Sequence, residues 1–196
     1  MSKKDTNNIP KHVLNQIKKP MEILLIGTSS SGKTILVRQL RHLTTKPTKK
    51  TKNKPISFQT SPTVGVELDT ITINKTTITI REVGAPMAPM WSAFHSKCHA
   101  IIFLIDTSDH AMLPEAAVEL WHTLNSQQIQ NKAILIIGTK KDVPSLLSEQ
   151  DIQKYIRFDE INATHTGTVT WKYLNLTLPE DCSNVLDYLK EMKQTE

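Results

Sequence analysis

A chain of 196 residues, 38% of them apolar, can bury one sizeable core and is too short for two ordinary domains. Its two cysteines, Cys98 and Cys182, exclude a disulfide framework, and its longest apolar run, Ala100 to Ile105, falls well short of the roughly 20 residues of a membrane-spanning helix. The net charge of +5 is uneven: residues 1–20 carry +4 (five lysines less one aspartate), Lys46 to Lys54 carries +5 from five lysines, and the remainder is therefore −4. A basic excess confined to a tail and one loop, not spread over a folded face, argues against a nucleic-acid binder. No secretory h-region opens the chain, so the expectation is a cytoplasmic protein.

In chain order, residues 1–20 form a basic tail or a short amphipathic helix, since Ile9, Val13 and Ile17 fall at helical spacing beside Lys3, Lys4, Lys11, Lys18 and Lys19. The run Glu22 to Ile26 reads as a buried strand, and Lys33 to Leu43 as the helix after it. Residues 45–62, rich in Lys, Thr and Pro, are longer than the loops of compact domains, and a mobile insert is expected there. Val64 to Ile73 and Thr76 to Val83 alternate across Asn74-Lys75 as a hairpin. Strands follow at Ala100 to Ile105 and Ala133 to Ile137, with helices at Pro114 to Leu124, Leu147 to Ile156 and Cys182 to Met192. Continuous apolar strands alternating with helices predict a three-layer α/β domain over residues 21–193, its sheet mostly parallel, with the hairpin supplying one antiparallel edge.

Gly27-Thr28-Ser29-Ser30-Ser31-Gly32-Lys33-Thr34 fits the Walker A pattern G-x-x-x-x-G-K-[ST], with a strand before it and a helix after it. In such a loop successive backbone N–H groups and the positive end of the helix converge on a phosphate. Lys33 is placed to bridge the β- and γ-phosphates, and the Thr34 hydroxyl to ligate Mg²⁺. The alternative, a Ser/Gly turn that only caps a helix, does not account for strand, both glycines, Lys and Thr together.

The base is decided elsewhere. Thr139-Lys140-Lys141-Asp142, after the strand that starts at Ala133, resembles the Asn-Lys-x-Asp guanine motif of GTPases with Thr for Asn. A carboxylate at Asp142 can accept from guanine's N1 and N2 donors, a pair adenine lacks. A helix-capping Asp is the competing reading.

Ser61-Pro62-Thr63-Val64-Gly65-Val66 resembles the Pro-Thr-x-Gly switch I of ADP-ribosylation factors (Arfs) and their Arf-like relatives. Glu82-Val83-Gly84-Ala85 resembles the Asp-Val-Gly-Gly of their switch II, and Met90-Trp91-Ser92-Ala93-Phe94 the Leu-Trp-x-x-Tyr beyond it. Thr63 and Glu82 stand 19 positions apart (82 minus 63), the short interswitch of that group, and Asp106-Thr107-Ser108-Asp109 resembles its Asp-Ser-x-Asp. The resemblance, from Met21 to about Met192, implies a Ras-like G domain with a six-stranded sheet, GTP/GDP and Mg²⁺ as ligands, and a role as a switch or scaffold in vesicle or ciliary traffic. It places Thr63 and Glu82 beside Thr34 as metal residues, Ala85 at the γ-phosphate, and Leu176 of Asn175-Leu176-Thr177 at guanine O6 through its backbone N–H.

Three departures qualify what the resemblance implies. Pro86 stands where active relatives carry the Gln that orients the attacking water, so no catalytic residue is assigned and hydrolysis is expected to be slow or partner-dependent. Ala85 replaces a glycine before that proline, and Glu82 replaces Asp. The effector trio Phe, Trp and Tyr falls on Val66, Arg81 and Phe94, so effector proteins at the switch and interswitch surfaces should differ from those of typical Arfs; Trp91 and Phe94 read equally as core residues. With Ser2 in place of the required Gly, Arf-type myristoylation is not expected, which leaves basic residues for any peripheral, transient membrane contact, and the chain is expected to be a monomer. A P-loop small-molecule kinase is the alternative, although its Arg-rich lid is missing: the arginines are Arg38, Arg41, Arg81 and Arg157. His95, Cys98 and His99 could suggest a metal, without an evident fourth ligand.

Overall fold

The computed structural model describes residues 20–45, 56–144 and 147–192, and its elements follow the apolar pattern closely. The chain runs β1 (Met21–Gly27), α1 (Lys33–Thr44), β2 (Val66–Ile73), β3 (Thr76–Val83), a 3-10 turn (Ala85–Met90), α2 (Ser92–His95), β4 (Ala100–Asp106), α3 (Leu113–Leu124), a second 3-10 turn (Gln127–Ile129), β5 (Ala133–Thr139), α4 (Glu149–Tyr155), α5 (Phe158–Thr164), β6 (Val169–Leu174) and α6 (Pro179–Met192). The six strands lie in the order β2-β3-β1-β4-β5-β6. Only the β2–β3 pair is antiparallel, so the expected sheet and its antiparallel edge are both present.

The central strands are buried on both faces, which is why they read as unbroken apolar runs. In β1, Ile23 and Leu25 pack with α1 and α6, through Leu36, Leu40, Val185 and Leu189, while Leu24 and Ile26 join Phe103, Leu113 and Leu120 on the other face. Each such side chain contributes about 1.5–3 kcal/mol by leaving water. The β2–β3 hairpin turns through Asn74 and Lys75, at φ 49° and 66°, the left-handed pair of a type I′ turn whose twist matches that of its strands.

Several elements differ from the sequence expectation, β2 beginning at Val66 and α6 at Pro179 among them. The stretch Leu147 to Ile156 continues into a second helix, because Arg157 adopts φ 61° and breaks the chain direction before α5. α4 begins only at Glu149, where Ser148 and Asp151 form a reciprocal capping box. β6 was not among the expected strands: Val169 to Leu174 is an edge strand of mostly half-buried residues without an apolar run. The amphipathic reading of residues 1–20 lies outside the described residues except for Pro20, as does the lysine stretch of the 45–62 insert.

Candidate nucleotide site

β1 ends against β4 so closely that a Cβ on Gly27 would lie 2.2 Å from the Leu104 carbonyl oxygen. Gly27 has φ 140° and Gly32 φ 88°, conformations an L side chain resists, so the two glycines fix the loop's path between strand and helix. α1 then starts at Lys33 with no side-chain cap and no acidic residue in its first turn. Its amide donors and positive dipole end are left for an outside anion.

Lys33 is buried, and its Nζ donates to the carbonyl oxygens of Gly27 and Thr28, each at 2.8 Å. Burial pulls its pKa down to about 8, against the opposing pull of the Glu82 carboxylate. Thr34 Oγ1 donates to Glu82 Oε1 at 2.6 Å, and Thr63 Oγ1 donates to the same oxygen at 3.0 Å, with the two hydroxyls 3.4 Å apart. Helix α1, the segment before β2 and the end of β3 thus bring two hydroxyls and one carboxylate to one point. This oxygen donor set fits a hard cation such as Mg²⁺, which needs few protein ligands when phosphate oxygens and waters supply the rest. Gly84 N donates to Gly65 O at 2.9 Å, holding the segment that carries Thr63 against the end of β3.

A cavity of about 240 Å³ opens over these groups, bounded by the phosphate loop, by Thr60 to Thr63, by Glu82 and Gly84 to Pro86, and by Lys140. Ala85 and Pro86 begin the 3-10 turn Ala85–Met90, which two prolines, Pro86 and Pro89, keep from becoming a longer helix. Among the described residues lining the cavity there is no Gln, Asn or Arg. The four arginines act elsewhere: Arg38 donates to Ser57 O and Gln59 O, Arg41 pairs with Asp69, Arg81 with Glu22, and Arg157 with Glu160.

The segment at Thr139 lies at the far side. The buried Thr139 hydroxyl donates to Ile105 O at 3.1 Å, so it braces the turn from behind. Lys140, at φ 62°, extends over the cavity edge and pairs with Asp106, which in turn accepts from Ser108 N and Oγ. Asp142 is exposed on the turn; neither it nor Leu176 lines the cavity over the phosphate loop. Leu176 is buried, its Cδ1 2.9 Å from the position a Cβ on Gly32 would take, so its side chain packs on the phosphate loop.

Two residues that sequence reasoning missed hold these loops together. Asp181 Oδ2 accepts from Lys141 Nζ at 2.6 Å and from Asn175 N at 2.7 Å, joining the turn after β5 to the turn after β6. Gln39 Nε2 donates to the carbonyl oxygens of Leu176 and Thr177 at 3.0 and 3.1 Å, joining α1 to the same turn. Gln39 is a polar residue on the inward stripe of α1, between Leu36 and Leu40, and that was the available signal.

The model of the ADP-ribosylation factor family matches residues 8–191. The chain belongs to that family. It is similar to human ADP-ribosylation factor-like protein 16, 31% identical over 167 residues that span 85% of this chain and 83% of the relative. Its fold is similar to that of the Trypanosoma brucei small GTPase Arl6 (BBS3) bound to the nucleotide analogue GppNp, with a TM-score of 0.74 at 18% identity over 91% of this chain and 100% of that one. Family membership and the scattered arginines set the kinase alternative aside. The structure also resolves the aromatic residues. Trp91 is core, edge-on to Phe103 with centroids 6.0 Å apart, and donates to Gly84 O. The Arg81 guanidinium lies over the Phe94 ring at 5.3 Å while its Nε binds Glu22 at 2.6 Å, so two of the three trio positions satisfy each other. Of the suggested metal group near the end of α2, His99 Nδ1 accepts from Glu22 N, Cys98 Sγ contacts His95 O, and no cluster of three ligating side chains exists among the described residues.

Proposed function

We propose that the chain is an Arf-like switch or scaffold that binds GTP and GDP with Mg²⁺ and hydrolyses GTP slowly or only with a partner. Gly27 to Thr34 and Ala85 hold the phosphates; Thr139, which braces the turn, with Lys140, Asp142 and the Leu176 backbone, forms the guanine site; and Thr34, Thr63 and Glu82 hold the metal. Bound Mg²⁺ would neutralise charge on the β- and γ-phosphates. The observation that carries the reading is an intact phosphate cradle with converging Thr34, Thr63 and Glu82, beside a lining in which Pro86 offers no amide to position water. Slow turnover follows from that pairing.

The cellular setting is cytoplasmic, in vesicle or ciliary traffic, with transient membrane contact through basic residues and binding as a monomer to effectors at the switch and interswitch surfaces. The exposed Val66 and Leu68 on edge strand β2 support such a surface. Mass-spectrometric identification of the co-purifying nucleotide, with GTP against ATP competition, tests the central reading. Guanine nucleotide with GTP preferred is expected; an empty site or equal ATP competition refutes it. Sedimentation with anionic vesicles at two salt concentrations tests membrane contact, and no binding at either overturns it.

A further inference from the structure

Residues 56–65, which lead into β2, have no regular secondary structure, yet Thr60 to Thr63 form one wall of the nucleotide cavity. Ser57 to Pro62 are all exposed, so little packing holds this strap in place. Its end next to β2 is pinned. Thr63 binds Glu82, Gly65 O accepts from Gly84 N, and Gly84 approaches so closely that a Cβ there would lie 2.0 Å from Thr63 O. Among the described residues, no backbone hydrogen bond ties residues 56–62 to the sheet or the helices.

That role falls to Arg38. From a half-buried position on α1 its Nη1 donates to Ser57 O at 2.9 Å and to Gln59 O at 2.8 Å, so both hydrogens of one guanidinium nitrogen are used on the strap. Arg38 forms no ion pair among the described residues, whereas Arg41, the next residue along that side of α1, pairs with Asp69 of β2. The charge of Arg38 is thus spent on two backbone carbonyls that no other group holds. We infer that Arg38 is a positioning residue that latches residues 56–62 over the phosphate site and so limits the release of bound nucleotide. The inference rests on the nucleotide reading above and adds its control: Glu82 holds the strap at the metal, and Arg38 holds it at the opposite end. Charge-assisted hydrogen bonds exceed neutral ones, but water competes for this exposed pair, so together they change the open fraction of the strap by about tenfold.

The test is Arg38→Met, which keeps the long apolar stem and removes every donor, with Arg38→Lys and Arg41→Met beside it. Phe58 is exposed and lies between the two latched residues, so chymotryptic cleavage after Phe58 reports the open strap without any nucleotide. Cleavage there and release of fluorescent GDP at saturating Mg²⁺ should both be about tenfold faster in Arg38→Met and intermediate in Arg38→Lys. Arg41→Met, which removes the same charge from the same helix, should match the parent. Arg38→Lys serves alone if Arg38→Met does not fold. Unchanged cleavage after Phe58, GDP release within about twofold of the parent, or an Arg41→Met variant as fast as Arg38→Met overturns the inference. A parent chain that binds no GDP refutes the nucleotide reading and the release claim with it, while the latch itself still stands or falls on the Phe58 cleavage.

Discussion

Thr34 and Thr63, 29 positions apart in sequence, donate to one oxygen of Glu82 at 2.6 and 3.0 Å. The carboxylate therefore joins α1, the segment before β2 and the end of β3. Glu82→Ala removes the charge and the shared acceptor while leaving the cradle backbone in place. Groups that orient metal ligands typically account for 10–100-fold in metal affinity, so the Mg²⁺ concentration that half-maximally slows fluorescent GDP release should rise by about that factor. An unchanged Mg²⁺ dependence would remove Glu82 from the metal site.

If Lys33 holds phosphate as proposed, nucleotide binding should depend on pH. Its pKa falls from 10.5 to about 8 in the folded protein because burial disfavours the ammonium. Between about pH 8 and 10.5 the unfolded chain thus holds more protons at this site, and stability of the ligand-free protein rises across that window; below pH 8 the full penalty applies. An anionic phosphate restores the ammonium, so binding takes up protons where Lys33 is partly neutral. Calorimetry at pH 8.5 in two buffers of different ionisation enthalpy should show uptake of a fraction of a proton, vanishing at pH 6.5. Release of protons at pH 8.5 would contradict the assignment.

The central sheet was legible because its strands are buried on both faces: in β4 all seven residues from Ala100 to Asp106 are buried, and no polar alternation obscures the run. β6 escaped because an edge strand needs no such run, and Trp171 and Tyr173 are only half-buried. The phosphate loop was readable because chemistry fixes its spacing. The Asp181 and Gln39 hydrogen bonds were not, since they cross 40 and 137 positions between loops that only the folded sheet brings together. That neither ring nitrogen of His95 has a partner among the described residues was hidden for the same reason: a histidine in sequence looks alike whether its nitrogens are satisfied or not.

Asp142 and Asp181 should separate by their effects. Asp142→Asn replaces the carboxylate that would accept from guanine, and a charged hydrogen bond contributes about 1.5–3 kcal/mol, so GTP affinity should fall about 10–100-fold while ATP binding stays poor. Asp181→Ala breaks the contacts to Lys141 and Asn175 and should weaken GTP without improving xanthosine triphosphate, because it loosens the turns without altering the base reader. Asp142→Asn can instead donate to the C2 carbonyl of xanthine and should improve xanthosine triphosphate. Competition calorimetry with the three nucleotides distinguishes the two patterns. Loss of GTP affinity with no gain for xanthosine triphosphate in both variants would assign Asp142 to loop bracing.

Pro86 bears most directly on turnover. It is exposed, it begins a 3-10 turn, and it lines the cavity beside Ala85. Its ring denies the cavity a carboxamide and restricts the backbone of Ala85, which nonetheless begins the 3-10 turn. Pro86→Gln supplies the amide and frees Ala85 together, whereas Pro86→Ala only frees Ala85. Removing an exposed proline should change stability by about 1 kcal/mol or less, so both variants should fold. Single-turnover hydrolysis should rise about tenfold in Pro86→Gln, equivalent to about 1.4 kcal/mol of barrier, and stay near the parent rate in Pro86→Ala. If Pro86→Ala accelerates as much as Pro86→Gln, the constraint on Ala85 limits the rate and the missing amide does not.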